Sequence, residues 1–491
     1  MIPLSGLVAV YGECGAGRAL EMLAAIKHRG PAGQRVGNSE FPPRAVGYAS
    51  TGHSGEEDNF YAAGDAIIAL DGLLSCCDNG GSFDRRLRAQ ELLTLYRGEG
   101  PRFSCRLRGM FALCMDLPTR EFLVARDRFG IKPLYWGRKG QALYFASEIK
   151  ALINRCEGIG VFPPGHYFHP REGLVRFNPE EGEEGNAATP FSWQEACSRL
   201  RDVLREAVAR CLPAKGKVGI LLSGGLDSSI VAAVARSLGA DIRSIAVGYE
   251  GSLDLEYARL MAQNLGLEHH EYVYGRKEVE DVLPRVIYHL ESFDWSLVRS
   301  AVPNYLAARL ARQHGLDYVL MGEGGDELFG GYHYLKNKTR QEQQQEMKRL
   351  LESAHTMGLQ RADRMTSAYG LTSILPFMDY KVVELAASLP VEWKISRDGV
   401  EKWILREAFR AELPPEIVDR RKDEFSQGAG SAELMAEMAA GKISDEEFAA
   451  EGRVTSGVTL HSKEELYYYR IFKEFYPQPE LDRLVGRWTP W

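Results

Sequence analysis

Two stretches of the chain carry polar residues at spacings suited to phosphate and metal chemistry. Residues 218–233 read VGILLSGGLDSSIVAA. Gly224 and Gly225 allow a tight turn that brings backbone N–H groups up to an anion, and Ser223, Ser228 and Ser229 add hydroxyl donors. The helical pattern that begins at Leu226 adds the positive end of its dipole. Asp227 stands where a Mg²⁺ ion carried on phosphates would need an oxygen ligand. Residues 318–332, YVLMGEGGDELFGGY, again run an apolar stretch into a glycine loop, now with Glu323, Asp326 and Glu327. Carboxylates beside a bound triphosphate require a metal between them, so Asp227 and Asp326 are the expected Mg²⁺ ligands. The alternative for either stretch is a turn whose Gly, Ser and acidic residues serve geometry and capping alone. The first loop is not of the G-x-x-x-x-G-K-S/T type, because no Lys follows the glycines.

These loops need strands to launch them and helices to receive them. Val218 to Leu222 forms a short apolar run, and IVAAVARSLG then reads as an amphipathic helix. A second apolar run, IRSIAVGYEG (242–251), follows. Repeated β–α alternation predicts a doubly wound parallel sheet with ligand at the carboxyl ends of its strands. WQEACSRLRDVLREAVARCL (193–212) carries Leu200, Val203, Leu204, Ala207, Val208 and Cys211 on one helical face and leads into the first loop strand. Residues 286–311 read as a long broken helix. Its Glu291, Asp294 and Arg299 lie near one face, either beside the ligand or as a surface ion-pair set. Residues 333–350 are polar all round and predict a mobile, solvated segment. Asp254 and Glu256 read as caps or surface residues.

The first third of the chain has a different texture. LVAVYG (7–12), AVGYAS (45–50), DAIIALDG (65–72), MFALCMD (110–116), EFLVARD (121–127) and ALYFAS (142–147) are short strand patterns bounded by turn residues. Residues 21–30 and 88–100 read as helices ending at glycine. This predicts a two-sheet sandwich with helical layers over residues 1–177. An acidic, Gly- and Pro-containing linker at 178–192 precedes a second domain over 193–491.

Composition bounds the function. The 491 residues carry a net charge of −7, with 45% hydrophobic and 26% charged residues, which fits a globular chain of two domains. The acidic balance argues against a nucleic-acid binder. No apolar run has the length of a membrane span, and MIPLSGLVAV lacks the basic start of a secretory signal. The eight cysteines fall between Cys14 and Cys211 without a C-x-x-C pair, which argues against zinc or a disulfide framework. The expectation is a reduced, cytoplasmic protein.

The motif SGG-x-DSS resembles the pyrophosphate loop of the ATP pyrophosphatase superfamily, whose members split ATP into AMP and pyrophosphate. HRGP (28–31), RLRGMFAL (106–113), ARDRFGIKPLYWG (125–137) and ASEIKAL (146–152) resemble the glutamine amidotransferase domain of the asparagine synthetase B family, which also includes β-lactam and carbapenam synthetases. The resemblance continues through GEGGDE (322–327) and RRKDEFSQGAG (420–430) and covers nearly the whole chain. It implies an α/β protein with an N-terminal Ntn-type α-β-β-α sandwich and a C-terminal parallel sheet of the ATP pyrophosphatase type. It implies ATP held by Leu222, Ser223, Gly224, Gly225, Asp227, Ser228, Ser229, Val247 and Gly322, with the backbone at Val247 on the adenine edge. It implies Glu323 near the acyl-adenylate, guiding or deprotonating the incoming amine. Lys422 falls on a lysine that neutralises charge on the phosphate oxygens, and Arg364 replaces a further family lysine.

The chain departs from the family where glutamine would be hydrolysed. The family uses an N-terminal cysteine whose thiolate attacks the amide and whose α-amine is the base. The position in register here is Ile2, and Cys14 lies beyond the first strand. The family's Asn-Gly-Glu turn is Asp71-Gly72-Leu73, an Asp at the next helix is Arg88, and an Arg-Leu-Ser-Ile segment has no counterpart around Gly47–Gly52. These changes predict a glutaminase-inactive domain kept as scaffold. In the second domain, a Glu and an Arg before Pro-Phe-Leu-Asp are Thr372 and Ile374, which counts against aspartate as acceptor if that pair binds it.

The expected activity is therefore an ATP-dependent synthetase that adenylates a small-molecule carboxylate with Mg²⁺-ATP. Ammonia or a small amine then displaces AMP, and a separate protein is one source of that ammonia. Ammonia-dependent asparagine synthesis, a lactam-forming or other natural-product ligase, and a non-catalytic binding protein are the alternatives. Neither nucleic acid nor membrane is expected as a partner, and the resemblance is compatible with a homodimer.

Overall fold

The computed structural model describes residues 5–13, 15–39, 43–51, 59–76, 87–118, 121–177, 191–454 and 456–488. Ile2, Cys14 and most of the expected linker lie outside the described residues. Two compact units are present, residues 1–185 with 367–372, and residues 186–366 with 373–491.

The first unit is built from two antiparallel sheets. Its strands are β1 (Ser5–Tyr11), β2 (Gly33–Ser39), β3 (Arg44–Ser50), β4 (Phe60–Ala63), β5 (Ala66–Cys76), β6 (Leu107–Leu117), β7 (Glu121–Arg126), β8 (Tyr135–Lys139), β9 (Ala142–Ala146), β10 (Glu157–Val161), β11 (His166–His169) and β12 (Gly173–Arg176). One sheet has the order β10-β8-β9-β1-β3-β2 and the other β12-β11-β7-β6-β5-β4. Successive strand residues point to opposite faces, and this assigns the layers. Ile67 and Ala69 of β5 face Leu7, Ala9, Val46 and Tyr48 between the sheets. Ile68 and Leu70, one residue out of phase, pack with Leu92, Leu93 and Tyr96 of the helix Ala89–Glu99. A helix at Ala16–Ala25 packs on β1 and β3, which completes an α-β-β-α sandwich.

That helix starts earlier than the pattern of residues 21–30 predicts. The chain has already tightened into a 3₁₀ turn at Lys27–Arg29. The turn sends Arg29 inward, where its guanidinium meets Glu148 at 2.9 Å and Asp71 at 3.4 Å. Lys132 reaches Asp71 at 3.3 Å, and Lys150 also pairs with Glu148. Asp71, expected in a turn, lies within strand β5 and is held by buried cations.

The second unit carries a five-stranded sheet. Its strands are β13 (Val218–Leu221), β14 (Ile242–Tyr249), β15 (His269–Tyr274), β16 (Tyr318–Leu320) and β17 (Thr372–Ile374), in the order β15-β14-β13-β16-β17. Strands β13 to β16 are parallel, with Val218 opposite both Ile242 and Tyr318. The order runs β13, β14, β15 to one side and resumes with β16 on the other, so the switch point lies between β13 and β16. The broken helix expected over 286–311 is two helices, Arg276–Leu290 and Trp295–Gln313. At the break Glu291 takes a left-handed conformation (φ 58°) and is buried, as is Asp294. Neither residue belongs to a surface ion-pair set, while Arg299 pairs with Glu464.

The segment 333–350 departs from expectation. His333–Asn337 is a 3₁₀ turn and Arg340–Ser353 a helix, capped reciprocally by Thr339 and Glu342. Two of its polar side chains, Gln343 and Glu346, are buried and find partners in the protein. Gln343 donates to the Leu335 carbonyl at 2.8 Å, and the Tyr334 hydroxyl donates to Glu346 at 2.6 Å. Met347 packs with Leu335 and Ile395. Among the described residues no helix is long and apolar enough to cross a membrane.

Met347→Ala tests this packing. The substitution should cost about 2–4 kcal/mol, as expected for a truncated core side chain, and lower the urea midpoint of the second unit. A midpoint equal to that of the wild type would return the segment to the solvent.

Candidate active site

The switch point opens into a cleft of about 380 Å³ within the second unit. Both glycine loops end there, because β13 and β16 are neighbours whose carboxyl ends point the same way. Asp227 sits in the first turn of the helix Leu226–Ser237 and Asp326 in the first turn of the helix Gly325–Phe329. Gly224 holds the first loop in a left-handed turn (φ 65°) close against Tyr257, where a Cβ would come within 2.3 Å of that side chain. Around it, the Gly225 N–H donates to Ser223 Oγ at 3.3 Å and Ser228 Oγ donates to the Gly225 carbonyl at 3.1 Å.

Two lysines join the carboxylates. Lys402 Nζ pairs with Asp227 and, at 2.6 Å, with Asp326 Oδ1. Lys422 Nζ donates to Asp326 Oδ2 at 3.0 Å. The Lys402 side chain is 2% exposed and that of Lys422 25%. Lys402 reaches its place from a left-handed backbone (φ 54°, ψ 32°) just before the helix Trp403–Phe409, a conformation that costs a non-glycine residue about 1 kcal/mol or more. Gly331 leaves the space for it, since a Cβ there would lie 1.9 Å from Asp326 Oδ1 and 2.3 Å from Lys402 Cε.

The electrostatics separate the two carboxyls. Burial pushes Asp227 up, Lys402 pulls it back, and the charge of Asp326 adds to the rise. Burial also acts on Asp326, but Lys402 and Lys422 overcome it and hold that carboxyl well below the usual range. Burial works against the charge of Lys422, and Asp326 and Asp227 more than restore it. Glu327 is raised, first by burial and then by Asp326.

The expected site residues divide into three groups. Ser223, Gly225, Asp227, Ser228, Gly322, Glu323, Asp326 and Lys422 line the cleft. Leu222, Ser229 and Val247 are buried in the wall behind it, and Gly224 forms the turn without lining it. Arg364 is elsewhere. Its side chain is fully buried and pairs with Glu291 at 2.8 Å, so the expectation of a catalytic arginine there is corrected. On the same helix, Gly358–Ser367, it is Arg361 that lines the cleft and pairs with Glu323. Ile374 and Thr372 are also buried away from the cleft, where Ile374 accepts the Met321 N–H at 3.0 Å.

Residues not anticipated complete the cleft. Lys402 is the foremost, and no local signal in the sequence around it marks it as a site residue. Arg420 donates to the Ser223 carbonyl at 3.1 Å, pairs with Asp254 at 2.6 Å and lies over the Tyr257 ring. Asp254 is thus a buried partner of the loop's clamp and no surface cap.

The donor set fits a cation that arrives on phosphates. Asp227 Oδ1 is buried without a hydrogen-bond partner beside Asp326. Among the described residues no cluster of three or more His, Cys, Asp or Glu could cage a metal alone. Two carboxylates with the remaining ligands from phosphate and water is the usual arrangement for Mg²⁺.

Comparison with known proteins gives the same two parts. The family model for asparagine synthase matches residues 199–347 and 336–490, and that for a glutamine amidotransferase domain matches residues 78–161. The glutamine-hydrolyzing asparagine synthetase 2 of Arabidopsis thaliana is 36% identical over 78% of this chain and 70% of its own length. Asparagine synthetase 1 of the same plant is 32% identical over 97% of this chain and 87% of its own. The enzyme of Sandersonia aurantiaca is 32% identical over 97% of both.

Two measurements test the site's charge arrangement. Lys402→Met leaves Asp227 without its ion-pair partner and Asp326 with Lys422 alone, and should cost about 3–5 kcal/mol in urea unfolding, whereas an unchanged midpoint would deny that lysine the role of counter-ion. The second concerns Asp254, which burial pushes up to about 6 against the pull of Arg420. The folded chain then holds a proton that the unfolded chain releases near about 3.9, so this group's contribution to stability falls as pH rises from about 4 to 6. Asp254→Asn should remove that part of the slope in a pH series of unfolding midpoints, and a slope unaltered by the substitution would contradict the shift.

Proposed function

The chain belongs to the asparagine synthase family, and we propose that it adenylates a small-molecule carboxylate with Mg²⁺-ATP and transfers ammonia or a small amine to it without a glutaminase of its own. Family membership makes it an ATP-dependent carbon–nitrogen ligase; the finer reading rests on the cleft. The observation that carries it is the joining of Asp227, Asp326, Lys402 and Lys422 beneath a glycine loop at the sheet's switch point.

The proposed chemistry has two displacements. A carboxylate oxygen of the acceptor bonds to the α-phosphorus while the bond to the β-phosphate oxygen breaks, releasing pyrophosphate. Nitrogen then bonds to the acyl carbon, loses a proton, and AMP leaves. Adenylation is needed because an oxide ion is too poor a leaving group from a free carboxylate. The backbone at Gly225, the hydroxyls of Ser223 and Ser228 and the start of the helix Leu226–Ser237 are suited to hold the departing pyrophosphate. Lys422, the more exposed lysine, offsets charge on the phosphate oxygens. Asp227 and Asp326 would hold Mg²⁺, which when bound neutralises triphosphate charge. Glu323 lines the cleft and is the candidate to receive the proton of the nucleophile.

The absent glutaminase is supported by residues of the first unit. Leu73 replaces the acid of the family turn, and Asp71 beside it is engaged by Arg29 and Lys132. A glutamine zwitterion meets an apolar side chain where the family offers a carboxylate. Aspartate as acceptor is the second reading. The names of the relatives favour it, and the buried position of Ile374 removes one argument against it.

ATP–pyrophosphate exchange across a panel of carboxylates, with product mass measured in ammonium or in glutamine, tests both parts. Exchange with a particular acid and an amide made from ammonium alone is the expected result. Amide made from glutamine by this chain by itself would refute the inactive glutaminase. Failure of every acid to support exchange, while nucleotide still binds, would refute adenylation.

A further inference from the structure

The cleft has a second end, and its walls differ from those around the phosphate loop. The loop at 322–327 serves both. Asp326 turns to Lys402 and Lys422, while Glu323 pairs with Arg361 and Glu327 accepts the Tyr332 hydroxyl at 2.7 Å. Gly358 borders this group, since a Cβ on it would lie 3.1 Å from Glu323 Oε2. The wall that faces them is aromatic. The Trp488 ring lies 5.1 Å from that of Tyr332 and 6.1 Å from that of Tyr334, and Trp488 lines the cleft.

Trp488 is fixed there by its own backbone and by the two residues that lead to it. Its own N–H donates to Asp294 Oδ2 at 2.7 Å, and Asp294 Oδ1 caps the helix Trp295–Gln313 through the Leu297 N–H at 2.9 Å. Arg487 pairs with Glu465 at 2.6 Å and lies over the Phe293 ring. Gly486 packs so closely that a Cβ would come within 2.5 Å of the Thr356 carbonyl oxygen. Anchors on three separate segments hold one indole at the cleft, a preorganisation that surface packing does not require.

The acids at this end already have partners. Arg361 and Glu323 are partners, and Glu327 is occupied by Tyr332. Arg361 Nε is buried and without a hydrogen-bond partner. A second carboxylate on the acceptor would meet the acids Glu323 and Glu327 at this end. A flat apolar body would meet the indole face, where aromatic stacking is favourable.

We propose that Trp488 is a specificity-determining residue that stacks on the acceptor, and that the acceptor is a carboxylic acid with an aryl or other flat unsaturated body. This deepens the adenylation reading above and rests on it.

The test is ATP–pyrophosphate exchange by the full chain and by Trp488→Ala and Trp488→Phe, with aryl and unsaturated acids set against aspartate. The wild type should prefer a flat acid. Trp488→Ala should raise the KM for that acid about five- to tenfold, the value of one aromatic contact. The KM for ATP should stay constant, which reports an intact fold and nucleotide site, and Trp488→Phe should recover most of the loss. Aspartate as the best acid of the wild type, or an acid KM that Trp488→Ala leaves unchanged, would overturn the inference and leave adenylation standing. A wild type that exchanges with no acid would overturn adenylation, and this inference with it.

Discussion

The second unit is organised by the need to keep two buried carboxylates side by side. Asp227 and Asp326 come from loops on adjacent parallel strands, so the sheet itself forces them together. Two like charges 4 Å apart repel by about 4 kcal/mol in a partly buried setting, and the protein has to supply cations. It supplies one from a backbone conformation that lysine seldom adopts, and it leaves Gly331 bare so that the side chain can pass. The left-handed turn at Lys402 is therefore a local cost set against a larger electrostatic one. Glu401 beside it is tied to Lys336 at 2.8 Å, to Arg406 at 3.3 Å and to the Lys422 N–H at 3.2 Å, which fixes the strained turn from three sides.

Much of this was legible in the sequence, and the rest was hidden for physical reasons. The loops at 223–229 and 322–327 could be read because their signal is local: the glycines and the polar residues between them are contiguous in the chain. The sandwich could be read because a strand's alternation is itself the record of its two faces, as Ile67 and Ile68 show by packing into different layers. Lys402 could not be read, because it acts over a separation of 175 residues from Asp227, and nothing in EKWILREAF distinguishes it from a solvated lysine. Arg364 was misassigned for a related reason. It and Arg361 are three residues apart on one helix, and only the depth to which that helix is buried decides which guanidinium meets the cleft.

The helix Arg340–Ser353 shows the same limit from the other side. Its composition is polar throughout, yet Gln343 and Glu346 are buried because a carbonyl and a tyrosine hydroxyl are waiting for them. Polarity predicts solvent only when no partner is near, and partners from distant segments leave no trace in local periodicity. The first unit gives a parallel case in Asp71, whose neighbours in sequence are apolar or small while its partners Arg29 and Lys132 arrive from a turn and a loop.

The two lysines are not equivalent, and their difference bears on how the cleft can work. Lys402 is enclosed, bridges both carboxylates and projects from a left-handed backbone position. Lys422 touches Asp326 alone and keeps a quarter of its side chain in solvent. A phosphate entering the cleft competes for ammonium groups, and the one with a single partner and an open side yields first. Lys422 thus has the fewer contacts to give up, and Lys402 is the cation that joins the acidic pair. The same division explains why burial and counter-charge leave Asp326 the more acidic of the two carboxyls. Asp326 has two cations, and Asp227, deeper in the wall and sharing one, keeps an unpartnered oxygen facing its neighbour. Charge in this cleft is arranged so that one cation is structural and the other is available.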